Sequence, residues 1–335
     1  MGIKIIQKSL WPVIALLALV WVSSLSAQET DLITEQIAWS PDGTMIAIGG
    51  DLRNCDSGSN DPESLIVIDV NTMSQVFSIP DTGCSTHAVS WNPDSTAIAF
   101  VGYNGLNVWD VTAQQYDSNI SVLPLSPAYI SWSPNGNYIA FAEYSGFAGI
   151  IDVQTAEISE RLEDTVGSIV VWSSDSSRLF VDNLRDHPRV FSIPSGAIVE
   201  EIDYEPHEIV DIDWNPNGEI IAIYRLGGAN PDTIHLLNTN TWQDNLVISL
   251  ENILIERDAI SDITLSPNHD MVAAVSFRTG IYIWDTITGN LETTLEQEGI
   301  SAIDWSPDGS RLAYVPSGDD DELVGFLDDF SEAAP

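Results

Sequence analysis

A five-residue motif recurs seven times along this chain, and its spacing limits the folds that the chain can adopt. The motif is Trp-Ser-Pro-Asp-Gly or a close variant, and successive copies start 52, 41, 40, 42, 51 and 40 residues apart. The copies begin at Trp39, Trp91, Trp132, Trp172, Trp214, Leu265 and Trp305. A fixed period of this length is typical of repeat architectures in which each repeat is one supersecondary unit. Seven copies therefore predict seven structural units.

The residues around each motif indicate short antiparallel strands joined by tight turns. Proline presets φ at the first turn corner, and Asp or Asn followed by Gly suits a backbone with positive φ. An apolar strand follows the turn, such as residues 45–48 in the first repeat and 138–141 in the third. A third strand and a more polar fourth strand complete most repeats, and no segment has a sustained helical period. The sequence therefore predicts an all-β fold, a seven-bladed β-propeller of four-stranded antiparallel blades.

The repeats resemble those of the WD-repeat β-propeller family over about residues 35–330. Trp109-Asp110 and Trp284-Asp285 match the dipeptide that gives that family its name. The Trp-Ser-Pro-Asp-Gly form is also similar to the periplasmic propeller of the Tol system and to the propellers of prolyl-oligopeptidase-type enzymes. The Gly-His pair that precedes the first strand of a WD repeat is missing here, which puts that family's Asp-His-Ser-Trp hydrogen-bond network in question.

The first 27 residues have the composition of a secretory signal peptide. Lys4 and Lys8 precede an apolar run over residues 10–22, and small residues follow this run. The run is shorter than the roughly 20 residues that a membrane-spanning helix needs. We predict cleavage after Ser26 or Ala27, no stable membrane span after cleavage, a propeller over residues 28–335, and a secreted, extracellular or periplasmic location. A retained anchor is the alternative.

The last repeat leaves little chain for its fourth strand, because its third strand is predicted to end near residues 327–328. Propellers of the resembled family often borrow this strand from the N-terminus. By the spacing of the other blades such a strand would start near Val22, inside the predicted signal peptide. The last blade is therefore predicted to be incomplete, with three strands, or to gain a short fourth strand from residues 28–34 or from the C-terminal tail.

The charge of the chain excludes two classes of partner. After residue 27 it has nine arginines and no lysine against 50 acidic residues, a net charge of −41. Nucleic acids and anionic membranes are not expected as partners, because phosphate binding needs clustered Arg and Lys. The plainer interpretation of this acidity is solubility or adaptation to salty surroundings. The more specific alternative is that it attracts a basic partner or divalent cations.

The only two cysteines, Cys55 and Cys84, are predicted to form one disulfide, as expected for a secreted protein without other thiols. In the chain-entropy model, closing a loop of this length stabilises the fold by roughly 3 to 4 kcal/mol.

The sequence offers core residues rather than a catalytic centre. Six tryptophans start the repeated motif and Trp109 and Trp284 end third strands, so we interpret them as blade core rather than as a ligand platform. The five histidines fall in four different repeats without the spacing of a zinc site, and no G-x-S-x-G motif occurs. We therefore predict a protein that is not an enzyme and has no required cofactor.

Acidic loops are the better site candidates. Residues 318–322, which include Asp319, Asp320 and Asp321, and residues 51–64 are both predicted between the second and third strands of their blades. Blades one and seven are neighbours in a closed ring, and these loops would share a face with the cysteine pair. Oxygen ligands there could hold Ca²⁺, although the spacing matches no specific calcium loop and solvated loops are the plainer interpretation.

Three functional hypotheses follow. The first is a non-enzymatic scaffold that binds a protein or peptide on its loop face. The second is an accessory propeller for calcium or a small ligand. The third is a hydrolase with a dispersed active site in the central channel.

Overall fold

The computed structural model describes residues 24–26, 32–52, 63–80, 82–102, 105–118, 120, 127–143, 147–162, 165, 169–183, 185–203, 209–215, 220–225, 231–251, 253–254, 258–268, 270–316 and 322–328. These residues form seven antiparallel sheets of four strands each and contain no helix, so none is present that could span a membrane. The prediction of a seven-bladed, all-β propeller is confirmed.

The strands follow one another in chain order within each blade, except at the closure. Blade 1 consists of β2 Leu32–Trp39, β3 Met45–Leu52, β4 Leu65–Asp69 and β5 Ser74–Ser78. Blade 2 consists of β6 Ala88–Trp91, β7 Ala97–Gly102, β8 Gly105–Asp110 and β9 Gln115–Tyr116. Blade 3 consists of β10 Pro127–Trp132, β11 Tyr138–Glu143, β12 Ala148–Asp152 and β13 Glu157–Leu162. Blade 4 consists of β14 Val170–Trp172, β15 Arg178–Val181, β16 Arg189–Ser192 and β17 Ala197–Glu201.

Blade 5 consists of β18 Ile209–Trp214, β19 Ile220–Arg225, β20 Thr233–Asn238 and β21 Gln243–Ser249. Blade 6 consists of β22 Ile260–Leu265, β23 Met271–Ser276, β24 Gly280–Asp285 and β25 Leu291–Leu295. Blade 7 consists of β26 Ile300–Trp305, β27 Arg311–Pro316 and β28 Glu322–Asp328, with β1 Ser24–Ser26 beside β28. The first strand of each blade contacts the first strand of the next, and β26 contacts β2, so these strands form a closed inner ring.

The recurring motif forms the turn between the first and second strands, and its serine organises that turn. In blade 3 the Ser133 hydroxyl donates to Asn135 Oδ1 at 2.9 Å and accepts the backbone N–H of Tyr138 at 2.9 Å. Gly136 follows with a φ of 76°, a conformation that favours glycine. The same serine bonds recur at Ser40, Ser173 and Ser306. The motif letters are therefore explained by turn chemistry.

Replacing Ser133 by alanine is expected to destabilise the protein by roughly 1 to 3 kcal/mol, because the side chain is fully buried and its removal leaves a backbone donor without its partner. Chemical denaturation followed by tryptophan fluorescence measures this loss. Ser159→Ala is the control, because at this exposed position of β13 water can replace the bond from the Ser159 hydroxyl to the Ile150 carbonyl. We expect it to change the free energy of unfolding by less than about 0.5 kcal/mol. Equal effects of both variants would contradict the role of the turn serine.

Seven apolar clusters lie between neighbouring blades, one for each pair, including the pair that closes the ring. At the closure, Trp39 of blade 1 packs against Phe326 of blade 7 with ring centroids 5.9 Å apart. Burial of these large side chains between sheets supplies most of the apolar stabilisation of such a ring.

The closure of blade 7 differs in one respect from the sequence prediction. The C-terminal part of the chain supplies three strands, and β1 adds antiparallel to β28, with Ser24 opposite Gly325 and Ser26 opposite Glu322. Of the alternatives for the fourth strand, the one that uses residues 28–34 does not hold for residues 32–34, because Leu32–Trp39 is the first strand of blade 1. The position of β1 is close to the one that blade spacing gives. It lies within the segment assigned to a signal peptide, and cleavage after Ala27 would remove it; that cleavage stays a prediction.

Candidate functional site

The inner ring of first strands surrounds a cavity of about 320 Å³, here called the central cavity. Each first strand ends on the opening residue of the repeated motif, its anchor. Residues one and three positions before the anchor alternate with the buried residue between them, so these two positions belong to the same face of the strand. The described residues that line the cavity come from six of the seven blades.

Acidic residues occupy these two positions only in blades 5, 6 and 7. They are Asp211, Asp213, Asp262 and Asp304, called here the channel carboxylates. In blades 1 to 4 the same positions hold only uncharged residues, which are Gln36, Ala38, Ala88, Ser90, Tyr129, Ser131, Ile169 and Val171. The channel therefore has an acidic side and an uncharged side.

The channel carboxylates bind backbone N–H groups of the following blade. Asp213 Oδ2 accepts the N–H of Leu265 at 2.6 Å, and Asp304 Oδ2 accepts the N–H of Trp39 at 2.7 Å. The second of these bonds joins blade 7 to blade 1 across the closure of the ring. In each case the acceptor stands one residue before an anchor and the donor is the next anchor. Ser90 makes the same connection with its hydroxyl, which accepts the N–H of Trp132 at 2.9 Å.

The other two channel carboxylates make a second layer of such bonds. Asp211 Oδ2 accepts the N–H of Ile263 at 2.7 Å, and Asp262 Oδ2 accepts the N–H of Ile303 at 2.9 Å. Asp211 and Asp262 also share a side-chain hydrogen bond. One of two adjoining carboxyl groups must then carry the proton, since two negative charges cannot share a hydrogen bond.

Burial dominates the ionisation of these groups. Desolvation raises the pKa of Asp304 to about 7, although the N–H of Trp39 acts in the opposite direction. Desolvation, the charge of Asp211 and the shared hydrogen bond raise the pKa of Asp262 well above its usual range, and burial also raises the pKa of Asp211, so the pair shares one proton. Burial also raises the pKa of Asp213. The channel thus holds more carboxylates than its surroundings can readily keep ionised.

Tyr129 lies on the uncharged side, and its hydroxyl makes no hydrogen bond within the described part of the chain. Desolvation, followed by the negative charges of the four channel carboxylates, raises the pKa of Tyr129 well above its usual value. The phenol therefore stays neutral and remains able to donate a hydrogen bond.

The indole groups of four of the six anchor tryptophans form a parallel set of bonds, whereas that of Trp132 donates to the Gly136 carbonyl in its own turn. Those of Trp39, Trp91, Trp172 and Trp305 donate to the backbone carbonyl that precedes the anchor of the previous blade. Trp214 also lines the central cavity, but its Nε1 has no hydrogen-bond partner, although the residue is only 5% exposed.

Arg178 of blade 4 takes over the connection to blade 5 at this point. Its guanidinium lies 5.4 Å from the ring centroid of Trp214 and donates to the carbonyl of Thr239 at 3.2 Å. Blades 4 and 5 are therefore held together without the indole bond, and the Trp214 N–H has no hydrogen-bond partner.

The tryptophans that the sequence assigns to the core are buried. The six anchor tryptophans are at most 8% exposed, as are Trp109 of β8 and Trp284 of β24. The aspartates of the two Trp-Asp pairs order the turns that follow: Asp110 accepts the N–H of Ala113, and Asp285 accepts the N–H and hydroxyl of Thr288. Trp109, Asp110, Trp284 and Asp285 lie away from the central cavity.

The predicted acidic loops lie between the second and third strands of blades 1 and 7, but Asp319, Asp320, Asp321 and Cys55 are outside the described residues. Cys84 is described, and its neighbours Gly83 and Ser85 pair with Glu63 and Asp51, at the two ends of the loop that carries Cys55. No described cysteine is free. This geometry favours the Cys55–Cys84 disulfide, which stays a prediction, as does calcium at the acidic loop.

Two arrangements were missed by sequence reasoning. His235 Nδ1 lies 3.0 Å from Asp244 Oδ1, and its Nε2 lies 3.0 Å from Thr233 Oγ1, on the outer strands of blade 5. The other is the set of channel carboxylates. Aligning the seven repeats on their anchors would have shown that acids occupy the two inner positions only in the last three blades.

Within the described part of the chain, no three His, Cys, Asp or Glu residues converge as metal ligands. The four channel carboxylates are spread over three blades, and each is committed to a backbone N–H. The site is therefore best described as an acidic cavity on the axis of a seven-bladed β-propeller.

Comparisons with known proteins agree with this class. The sequence model of a family described as eukaryotic translation initiation factor eIF2A matches residues 34–190 and 191–315. The chain belongs to this family, and the match supports a propeller family. Similarity to WD repeats and to the Tol propeller remains an interpretation of the motifs.

Among solved structures, hydrazine synthase from Kuenenia stuttgartiensis is similar, with a TM-score of 0.74 and 15% sequence identity. The alignment covers 92% of this chain and 98% of that one. At this identity the likeness shows the fold alone.

Proposed function

We propose that this protein is a non-enzymatic scaffold that acts outside the cytoplasm and binds a protein partner. The observation that carries the proposal is the closed inner ring, in which carboxylates, hydroxyls and indoles of one blade bond to the backbone of its neighbour. A ring fixed in this way presents its loops and its axial cavity in a constant geometry. Such preorganisation lowers the entropic cost of binding a partner.

The charge of the chain defines the kind of partner. With nine arginines, no lysine and 50 acidic residues after residue 27, the protein attracts basic surfaces and repels nucleic acids. We therefore do not carry over the translation-initiation role in the family's name to this chain. The location outside the cytoplasm rests on the signal-peptide composition of residues 1–27.

Affinity capture tests this proposal. Tagged protein is incubated with envelope and secreted extracts of the source organism, at physiological ionic strength and with or without calcium. We expect one protein in stoichiometric amount, with binding that weakens as salt is raised, because the complementary charges are screened. The control for non-specific adsorption to an acidic chain is the same bait, unfolded in denaturant and kept unfolded on the resin. Reproducible absence of a partner that the folded bait alone retains would overturn the proposal.

A further inference from the structure

Within the described part of the chain, no cation neutralises the negative charge of the central cavity. Its walls carry Asp213, Asp262 and Asp304, with Asp211 hydrogen-bonded to Asp262, and none of the described arginines lines it. The raised pKa values of these carboxylates agree with this, because a buried carboxylate without a cation nearby binds a proton more tightly than one in water.

One polar group on the wall is also left without a partner. The Tyr129 hydroxyl makes no hydrogen bond within the described residues, and Tyr129 lines the same cavity as the carboxylates. A neutral phenol can donate a hydrogen bond to an oxygen that enters the cavity. The unpaired indole N–H of Trp214 has no accessible surface, so it plays no part in this argument.

The size of the cavity limits what can enter. Its volume of about 320 Å³ is at the lower end of the range for small-ligand sites. One long side chain with its adjoining peptide carbonyl suits such a space better than a folded segment does.

Asp213 and Asp304 stand at equivalent positions on blades 5 and 7, one residue before their anchors, with Thr264 of blade 6 at the same position between them. A guanidinium has five N–H donors in a planar fork, is always charged, and is weakly hydrated, so it can serve two carboxylates and lie against an aromatic ring. The ring of Tyr129 stands on the uncharged side of the channel.

We propose that the central cavity receives one arginine side chain of the partner protein, with Asp213 and Asp304 as its counter-charges and with the Tyr129 hydroxyl donating to the adjoining carbonyl oxygen. This inference rests on the proposed scaffold function and specifies its partner. A divalent cation is the poorer occupant, since the four carboxylates are spread over three blades and already accept backbone N–H bonds.

The test uses a short blocked peptide with a central arginine, and the same peptide with citrulline, which has nearly the same shape and no charge. Asp213→Asn with Asp304→Asn is the decisive variant, because asparagine keeps an oxygen for the N–H groups of Leu265 and Trp39 but removes the charges. Asp308→Asn is the matched control. It removes a charge in a turn outside the cavity, where blades 3, 5 and 6 have asparagine at the corresponding motif position.

Binding is measured by calorimetry on the full chain. We expect the arginine peptide to bind the unmodified protein and the Asp308 variant within about twofold of each other, and the double variant at least about tenfold more weakly. The citrulline peptide should show the same loss. In buffers of different ionisation enthalpy, the arginine peptide should release protons near pH 6, because the bound cation lowers the pKa of the carboxylates.

Absence of arginine-peptide binding at millimolar concentration, equal binding of the citrulline peptide, or unchanged binding by the double variant would each overturn the inference. So would calcium chloride that binds at the cavity and displaces the peptide. Failure of the inference is distinguishable from failure of the scaffold proposal. If the double variant still captures the natural partner at full yield, the arginine site is overturned but the scaffold function is not.

Discussion

Replacing Asp304 by asparagine is expected to stabilise the protein by roughly 2 to 4 kcal/mol at pH 8 and by a smaller amount, roughly 1 to 2 kcal/mol, at pH 5. The pKa of Asp304 is about 7 in the folded protein and 3.8 in the reference state, so the folded state holds the proton more tightly. Its contribution to stability is complete below the unfolded pKa and is lost as the pH rises through 7. Asparagine is neutral at every pH and can still accept the N–H of Trp39 at the ring closure.

The measurement is denaturant unfolding of both proteins from pH 5 to pH 8. The unmodified protein should lose stability across this window, and the variant should lose less. Asp308→Asn is again the control: hydrogen bonds from Ser306 and Ser310 lower the pKa of Asp308 to about 2, so this variant should not change the slope above pH 5. A variant at position 304 that is less stable at pH 8 would show that the ionised hydrogen bond outweighs desolvation, contrary to this account.

Replacing Trp39 by alanine is expected to destabilise the protein by roughly 3 to 5 kcal/mol. Trp39 is 6% exposed and packs against Phe326, and its indole N–H donates to the Asp304 carbonyl at 3.1 Å. Both contacts join blade 1 to blade 7 across the closure of the ring. The loss is read from the denaturant midpoint and from the cooperativity of the transition.

Trp39→Phe is the matched variant, since it keeps an aromatic ring at the closure and removes only the hydrogen bond and part of the volume. We expect it to cost roughly 1 to 2 kcal/mol. A Trp39→Ala loss below about 1 kcal/mol would mean that other contacts close the ring and that this anchor is dispensable.

Much of the fold could be predicted from the chain because its information is repeated. A single Trp-Ser-Pro-Asp-Gly sequence is weak, but seven in period fix the number of blades and the place of the first turn. The serine and the Asp or Asn of the motif satisfy the turn, and the tryptophan fills the space between blades. The same residues therefore form the turns and pack between the blades. When local and tertiary preferences agree in this way, the fold can be predicted from the sequence.

The candidate site was not predicted, because nothing within a single repeat distinguishes a channel carboxylate from other polar strand residues. Asp211 and Asp213 read as polar residues of an alternating strand, as do Asp262 and Asp304. Only the closed ring brings residues that are 91 positions apart in the chain, Asp213 and Asp304, to the same level of one cavity. The strand that lies beside β28 was left open among several alternatives for a related reason: pairing between chain ends depends on ring closure, which no local pattern encodes.

The most direct test of the scaffold account is the mass of the untagged protein, purified from its source under mild conditions and measured by native mass spectrometry. The account predicts a species heavier than the single chain by one copy of another protein, and dissociation of that species at high salt. A chain that always appears alone, or only as multiples of its own mass, would contradict it.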